Sequence, residues 1–299
     1  MLLTLVPDLS IAPLKYAHVH KDYGGPIASI SFRERTVDGS SFFEAFASLD
    51  SERTGYREGG KFLYGNSHGT GTAATKPDAI YAAISEALER WAWHSAYQES
   101  SLRTALRYDL DPSTTGFAAF PGLGTQGARK RAFFEAVERW SLCTWWEGRL
   151  SHKPLPAGGG LQILTPIPSC AVVVLWKLVG GLACYGFAAS YSVAAATAKA
   201  RIELLRNQDV LEFFSSQNAA GAMPASLNLT ERRLRYFAES AGHAAFQARV
   251  SATGGGADLP SLVVDQAVPG PWTHYAHVWR CLFEGGPFRE NDMDDYFLF

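Results

Sequence analysis

The sequence has little of what marks a membrane, secreted or metal-thiolate protein. Its 299 residues include only four cysteines, none of which forms a Cys-x-x-Cys pair: Cys143, Cys170, Cys184 and Cys281. That scarcity argues against a zinc ribbon and a disulfide framework. An apolar stretch at residues 171–176 ends at Lys177, whereas a membrane-spanning helix needs about 20 apolar residues. Residues 1–10 lack the basic start of a signal peptide. We therefore expect a cytoplasmic protein with reduced thiols and no membrane anchor.

Charge excess and the common phosphate loop are also missing. The 27 Lys and Arg residues against 29 Asp and Glu residues give a net charge of −2. The chain therefore lacks the basic excess that would indicate a nucleic acid partner. The Gly-x-x-x-x-Gly-Lys-Ser/Thr loop is absent, which argues against an ordinary P-loop kinase. A hydrophobic content of 47% and an aromatic content of 13% nevertheless predict a globular protein with a sizeable core.

What the chain does contain is a hexapeptide that occurs twice. Residues 86–91 read Glu-Ala-Leu-Glu-Arg-Trp, and residues 135–140 read Glu-Ala-Val-Glu-Arg-Trp. Apolar side chains recur at helical spacing around both copies, which predicts helices over about 78–97 and 127–146. Each helix follows a glycine-rich segment that we expect to be a turn. Trp91 and Trp140 continue the apolar stripes, so we expect both to be core residues.

The polar face of each copy has the chemistry of a metal–phosphate site. Two carboxylates at i and i+3 lie within one narrow arc of a helix, with an arginine at i+4. Mg²⁺ is usually held by one or two carboxylates together with substrate phosphates, and a guanidinium matches phosphate oxygens. A single copy is more often a solvated helix face, but its repetition favours function. The predicted metal ligands are Glu86, Glu89, Glu135 and Glu138, and Arg90 and Arg139 are predicted to bind phosphate and to act in catalysis.

These residues resemble the motifs of the YcaO family. The stretch from Gly65 to Arg90 resembles its first nucleotide-binding motif, and Thr115 to Arg139, followed by Trp145 and Trp146, resembles its second. Residues 186–189, Gly-Phe-Ala-Ala, and the helix predicted over 193–208 resemble the third. The resemblance implies that Glu203 completes the metal cluster. It also implies that Arg206 joins Glu86, Glu89, Arg90, Glu135, Glu138, Arg139 and Glu203 in binding ATP with Mg²⁺.

The resemblance also implies an activity. YcaO enzymes use ATP to phosphorylate a peptide backbone amide oxygen, which yields azoline heterocycles or a thioamide in ribosomally made modified peptides. The implied partners are a precursor peptide and a second protein that binds its leader sequence, with the oligomeric state left open. The implied fold is α+β. Antiparallel or mixed sheets are covered by helices in one domain, whose halves, about 1–110 and 111–299, flank a nucleotide cleft.

Several departures from the family pattern favour an alternative, a non-catalytic YcaO-like scaffold that binds a peptide or a partner enzyme. The connector at 98–114 is short. Phe120, Leu123 and Gly127 stand where the family has small polar residues and a further carboxylate, and Arg206 stands where a Gln is expected. The final residues, 292–299, contain no proline-rich tail. A third interpretation, an unrelated Mg²⁺ phosphohydrolase, requires the motif resemblance to be coincidental.

Local patterns add expectations outside the motifs. Residues 14–20, 27–33, 245–251 and 261–266 have strand patterns, and a short helix is expected near residues 42–46. Thr230 is a candidate N-cap for a helix over 230–241. Asp78, two turns before Glu86, either favours the helix dipole or is an outer metal ligand.

Overall fold

The computed structural model describes residues 9–37, 39–57, 66–219, 227–285 and 295–297. Its antiparallel sheets and helices confirm the predicted α+β class. Gly65 of the first motif and most of the predicted proline-free end lie outside the described residues. The division into halves near residue 110 stays a prediction.

The described helices and strands follow one another as a mixed series along the chain. The helices are α1 (Ala12–Lys15), α2 (Ser51–Thr54), α3 (Lys76–Gln98), α4 (Ser100–Ala105), α5 (Gln126–Trp146), α6 (Val193–Ala219), α7 (Leu229–Ala238) and α8 (Ser240–Ser251). The strands are β1 (Ile27–Val37), β2 (Ser40–Leu49), β3 (Gly69–Ala73), β4 (Phe117–Phe120), β5 (His152–Pro154), β6 (Gly160–Ile163), β7 (Ala171–Val179), β8 (Leu182–Ser190), β9 (Leu262–Ala267) and β10 (His277–Phe283).

The strands form three antiparallel sheets with the orders β1-β2-β3, β4-β10-β9 and β5-β6-β7-β8. The strand that directly precedes each long helix is always at a sheet edge: β3 before α3, β4 before α5, and β8 before α6. Backbone groups on the outer side of these three strands therefore remain available to side chains of the helices.

Alternating side chains place helices on both faces of the middle and last sheets. In β4, Phe117 and Ala119 pack in the cluster around α3, whereas Ala118 packs in the cluster around α5. In β7, Val172 packs toward α5, whereas Val173 packs in the cluster that contains α6. The period-two alternation of a strand produces this arrangement, so sheets and helices follow one another as successive layers.

Two of the edge strands lie unusually close to the helix that follows. A Cβ atom on Gly69 would be 2.1 Å from the carbonyl oxygen of Ala83, and one on Gly186 would be 2.2 Å from that of Ala200. Only glycine permits such a close approach. The glycine-rich segment before α3 was expected to be a turn. It is instead strand β3, and its glycines serve packing.

An ion-pair cluster joins the first sheet to α6. Asp209 of α6 has a side chain that is 1% exposed, and it pairs with both Arg33 and Arg35 of β1. Arg33 Nε also donates a hydrogen bond to Glu44 Oε2 at 2.8 Å. Because a buried carboxylate requires compensation, these contacts hold the first sheet against the third long helix.

The short connector after α3 is held by one buried arginine of β10. Arg280 is fully buried and donates to the carbonyl oxygens of Leu106 at 2.6 Å and Asp111 at 2.5 Å. Its guanidinium also lies 4.6 Å from the centroid of the Tyr108 ring. The connector thus has a defined path, and it contains the six-residue helix α4.

Three local predictions were wrong. The segment expected as a strand near residue 14 contains α1. Pro13 lies in the first turn of this helix, where proline is tolerated. The helix expected near residue 42 is strand β2, because pairing with β1 and β3 on both sides overrides local propensity. The strand expected at 245–251 is part of α8.

The N-cap of α7 also differs from the prediction. It is Asn228, which forms a capping box with Glu231, and not Thr230. The strands expected near 27–33 and 261–266 are confirmed by β1 and β9, and the two hexapeptide helices are confirmed within two residues of their predicted bounds. The third motif helix begins at the predicted residue 193 but extends past the predicted end at 208 to Ala219. In the described chain, no helix combines the length and apolar character needed to cross a lipid bilayer.

Both motif tryptophans are core residues, as predicted. Trp91 is 7% exposed and its indole N–H donates to the carbonyl oxygen of Thr54 at 3.1 Å, whereas Trp140 is 3% exposed and its ring centroid lies 6.5 Å from that of Phe283.

Replacing Trp140 with Ala should lower the free energy of unfolding by about 3–5 kcal/mol, because a large cavity remains. Urea denaturation measures this loss. Tyr23→Ala, at a side chain that is 69% exposed, serves as the control and should change stability by less than about 0.5 kcal/mol.

Candidate functional site

A cavity of about 800 Å³ lies where α3, α5 and α6 meet. Among the predicted site residues, its lining includes Glu86, Glu89, Glu135, Glu138, Arg139 and Arg206. Arg90 and Glu203 are not among the lining residues, but each pairs with one that is. The Arg90–Glu86 ion pair measures 2.5 Å, and the Arg206–Glu203 ion pair measures 3.2 Å. The structure therefore brings all eight predicted residues to one place.

Backbone N–H groups of the three edge strands hold the carboxylates in position. The Thr70 N–H of β3 donates to Glu86 at 2.8 Å, and the Phe187 N–H of β8 donates to Glu203 at 2.8 Å. Ala189 of β8 donates to Glu138 at 3.2 Å, and the backbone of Ala119 in β4 donates to Glu89. Rigid sheet edges, and not mobile loops, therefore orient the carboxylates.

The pair formed by β3 and α3 and the pair formed by β8 and α6 share this geometry in detail. In each, the edge-strand donor precedes its glutamate by 16 residues, and a glycine directly before the donor touches the helix backbone. An arginine follows the glutamate on the next helical turn, Arg90 after Glu86 and Arg206 after Glu203. The hexapeptide repeat identifies α3 and α5 but not this relation, since α6 lacks the hexapeptide.

Burial and mutual repulsion raise the pKa values of three of the carboxyls. Burial is the largest cause for Glu135, whose pKa rises to about 7, and for Glu138, whose pKa rises to about 8; neighbouring glutamates add to both shifts. The pKa of Glu89 also rises well above its ordinary value, through burial and then repulsion from Glu135 and Glu86. For these three carboxyls, burial and mutual repulsion together outweigh the attraction of the nearby arginines.

Glu86 behaves differently from its neighbours. Burial disfavours its ionised form, but the nearby Arg90 and Arg206 and the hydrogen bonds from Thr70 outweigh that penalty, so its pKa is lowered. Both the backbone N–H and the hydroxyl of Thr70 donate at 2.8 Å. Glu86 is therefore an ionised anchor of the cluster.

Three cationic residues of the cavity were missed by sequence reasoning: Lys130, Arg131 and Lys199. Two of them had a usable signal. Arg131 lies four residues before Glu135, and Lys199 lies four residues before Glu203, so each shares a helix face with a motif carboxylate. Together with Arg139 and Arg206, they give the cavity five cationic side chains beside its four lining carboxylates.

The structure decides between the alternatives for Asp78. Its side chain accepts a hydrogen bond from the Thr75 hydroxyl at 2.6 Å, and its own N–H donates back to that hydroxyl at 3.3 Å. Thr75 is the N-cap of α3, and Asp78 is exposed and outside the cavity lining. Asp78 therefore stabilises the start of the helix.

Residues 65–69 match the Gly-x-Ser-x-Gly pattern of serine hydrolases, but their context differs. A nucleophile elbow exposes its serine between a strand and a helix. Ser67 is 2% exposed and leads into strand β3, so it does not have that position.

Phe120 and Gly127, two of the departures from the family pattern, are in direct contact. A Cβ on Gly127 would be 2.1 Å from the Phe120 ring, and the Arg131 guanidinium lies 4.5 Å from the centroid of that ring. Phe120 lines the cavity. The expected polar lead-in to α5 is thus replaced by an apolar wall.

The donor set fits Mg²⁺ only in the presence of further ligands. Among the described residues, no group of three or more His, Cys, Asp or Glu side chains is placed to hold a metal ion. The cavity nevertheless offers the carboxylate oxygens that Mg²⁺ prefers, and Mg²⁺ ordinarily completes its shell with phosphates and water. Repulsion from neighbouring glutamates contributes to the raised pKa values of Glu89, Glu135 and Glu138, and a bound cation would relieve that repulsion.

Comparisons with known proteins place the fold. No protein-family model and no curated protein matches the chain. A solved structure, YcaO from Methanopyrus kandleri bound with AMPPCP and Mg²⁺, matches with a TM-score of 0.52 and 14% sequence identity. The match covers 91% of this chain and 89% of that chain. The chain therefore has a fold similar to that of a YcaO protein over nearly its whole length.

Proposed function

We propose that this chain is a cytoplasmic YcaO-type enzyme that uses ATP and Mg²⁺ to activate a backbone amide of a precursor peptide. The observation that carries the proposal is the convergence of four glutamates of α3 and α5 with five cationic side chains in one cavity, beside which Glu203 of α6 pairs with the lining residue Arg206. A site of that composition complements a metal-bound polyphosphate. The similarity to a YcaO structure solved with AMPPCP and Mg²⁺ supports the same nucleotide and metal.

The residues divide into two roles. Glu86, Glu89, Glu135, Glu138 and Glu203 would hold the metal, and Mg²⁺ bound there would neutralise the carboxylates and join them to phosphate oxygens. The arginines and lysines of the cavity would bind the phosphate oxygens directly. In this assignment, the edge-strand hydrogen bonds keep the carboxylates oriented before substrate arrives, so little reorganisation accompanies the reaction.

The proposed chemistry explains why phosphate transfer is needed. A Cys, Ser or Thr side chain of the substrate adds to the preceding amide carbonyl, and the resulting oxyanion attacks the γ-phosphorus with release of ADP. The thiol or hydroxyl proton leaves in the addition step. Elimination of the phosphorylated oxygen as inorganic phosphate, with loss of the amide N–H proton, then forms the C=N bond of the azoline ring. An external sulfur nucleophile would give a thioamide. Arg90 and Arg139 stabilise the charge that develops on the transferred phosphoryl group.

A non-catalytic nucleotide-binding scaffold is the second candidate, and one observation favours it. Phe120 and its contact with Gly127 fill a wall of the cavity where polar contacts were expected. Catalysis of this kind depends on positioning, and such a change affects geometry more than phosphate affinity. In the enzyme, by contrast, a leader-binding partner protein would bring the peptide into register.

Nucleotide binding can be tested without turnover. ATP with Mg²⁺ at a hundredfold excess over Kd should stabilise the protein by about 2.7 kcal/mol, seen as a rise in Tm. Replacing both Glu86 and Glu135 with Gln should abolish that rise, because the metal ligands lose their charge. Glu239→Gln is the control, since Glu239 forms an exposed ion pair with Arg235. Absence of any Tm shift or calorimetric binding by the wild-type protein would contradict the site assignment.

Turnover separates the two candidates. Mass spectrometry of a candidate precursor peptide, incubated with ATP, Mg²⁺ and any partner protein encoded beside the chain, should show loss of water or exchange of oxygen for sulfur. Activity on the peptide alone should be weak. Arg139→Lys should lower the rate by about tenfold or more while changing nucleotide affinity less. The reason is that the planar Arg139 guanidinium binds the transferred phosphoryl group most strongly in the transition state. An unmodified peptide under conditions of tight ATP binding would support the scaffold.

The raised pKa values predict a pH dependence with a definite sign. The carboxyls of Glu135 and Glu138 have pKa values of about 7 and 8 in the folded protein, against about 4.3 unfolded. Their ionisation therefore destabilises the unliganded fold progressively from about pH 4.3 to 8. Metal binding requires ionised ligands, so calorimetry should show Mg·ATP affinity rising between pH 6 and 8, with proton release. Glu138→Gln should flatten this rise, and an equally steep profile in that variant would contradict the assignment.

A further inference from the structure

Three of the most exposed apolar side chains of the described chain lie around the mouth of the cavity. Leu9 is 65% exposed, Leu123 is 74% exposed and Tyr191 is 65% exposed. We call these three residues the mouth patch. Single exposed apolar residues are ordinary, but a contiguous group beside a cavity marks a binding surface.

Backbone pairing brings two members of the mouth patch together. Ser10 and Gly122 form an antiparallel bridge, and the Ile11 N–H donates to the carbonyl oxygen of Pro121 at 2.9 Å. In an antiparallel bridge the residue before one partner and the residue after the other lie at the same end, so Leu9 and Leu123 flank the same end of this bridge. Both leucines are exposed there, so they contribute apolar surface at one place.

That surface continues into the cavity. Ser10, the neighbour of Leu9, lines the cavity, and so do Phe120 and Tyr191. The apolar wall made by Phe120 thus reaches from the carboxylates to the exterior. Two departures from the family pattern, Phe120 and Leu123, belong to this wall, which gives both a role on the substrate side of the cavity.

The charges near the mouth restrict what can bind there. Lys130, Arg131 and Lys199 line the same cavity, and Lys15 and His277 are close to Leu123, since His277 interacts with Lys15 and hydrogen-bonds the Leu123 backbone. A ligand with apolar side chains and neutral or acidic groups complements this surface, whereas a cationic side chain is repelled.

We propose that the mouth patch binds the peptide residue adjacent to the activated amide, so that the preferred substrates have a large apolar residue there and no cationic one. This inference rests on the proposed function. An extended peptide advances about 3.3 Å per residue, so a residue next to an amide inside the cavity remains within the mouth. A peptide is favoured over a second copy of the chain because the apolar wall leads inward to the carboxylates and is not confined to the outer surface.

The probes are three fluorescein-labelled hexapeptides that are identical except for Leu, Ser or Lys immediately before a single Cys. Fluorescence anisotropy measures their binding to the full-length chain with saturating AMPPCP and Mg²⁺, which avoids turnover. We expect the Leu peptide to bind about five- to tenfold more tightly than the Ser peptide, and the Lys peptide to bind most weakly. Equal affinity for the Leu and Ser peptides would overturn the proposal.

The variants L9S and L123S, separately and together, should bring the Leu and Ser peptides to similar affinity while nucleotide affinity stays at the wild-type value. Leu178→Ser is the matched control, because Leu178 is 62% exposed on β7 and outside the cavity lining. A preference that survives in the double variant, or an equal loss in Leu178→Ser, would contradict the proposal. So would a dimer in sedimentation experiments that L123S dissociates.

The proposed function and this inference can fail separately. Loss of nucleotide binding, or absence of peptide modification, would count against the enzyme without changing the comparison of peptide affinities. That comparison is therefore repeated without nucleotide. A preference for the Leu peptide in both conditions supports the mouth patch whatever the outcome for turnover.

Discussion

The concentration of glutamate carboxylates around one cavity is the constraint on which the remainder of the structure depends. Removing carboxylates from water and placing them beside one another is unfavourable twice, through lost hydration and through repulsion. The pKa values of Glu135 and Glu138 rise to about 7 and 8 for those two reasons. Such a cluster persists only when the fold supplies enough other stabilisation and gains a function from it.

Sheet edges provide part of that stabilisation at the site itself. An exposed strand edge is normally a liability because its N–H groups invite pairing with another chain. Here the outward N–H groups of Thr70, Ala119, Phe187 and Ala189 are satisfied by the glutamates. One set of contacts thus protects three edges and fixes four carboxylates. It also explains the close packing at Gly69 and Gly186, since a strand held further from its helix would place the N–H beyond reach of the carboxylate.

The parts that could be predicted from the sequence are those decided within one helix. The i, i+3, i+4 pattern correctly predicted that Glu86 and Arg90 are neighbours, and the apolar stripe correctly predicted burial of Trp91 and Trp140. Tertiary contacts decided what was missed. Glycines 69 and 71 were interpreted as turn residues because glycine is common in turns, whereas here helix packing requires them. The approach of Lys199 on α6 to Glu138 on α5 is a tertiary contact that no periodicity within either helix contains.

The departures from the family pattern are not independent of one another. A large ring at position 120 requires the absence of a side chain at position 127, because a Cβ there would overlap the ring. The Arg131 guanidinium lies beside the same ring and also lines the cavity, so a cationic group remains next to the apolar wall. Leu123 and Leu9 extend the apolar wall outward. The apolar wall and the glutamate cluster therefore belong to one cavity, in which a packed ring–glycine contact lies beside charged side chains. In the proposed enzyme, this arrangement separates an apolar surface for the peptide from a charged surface for phosphate.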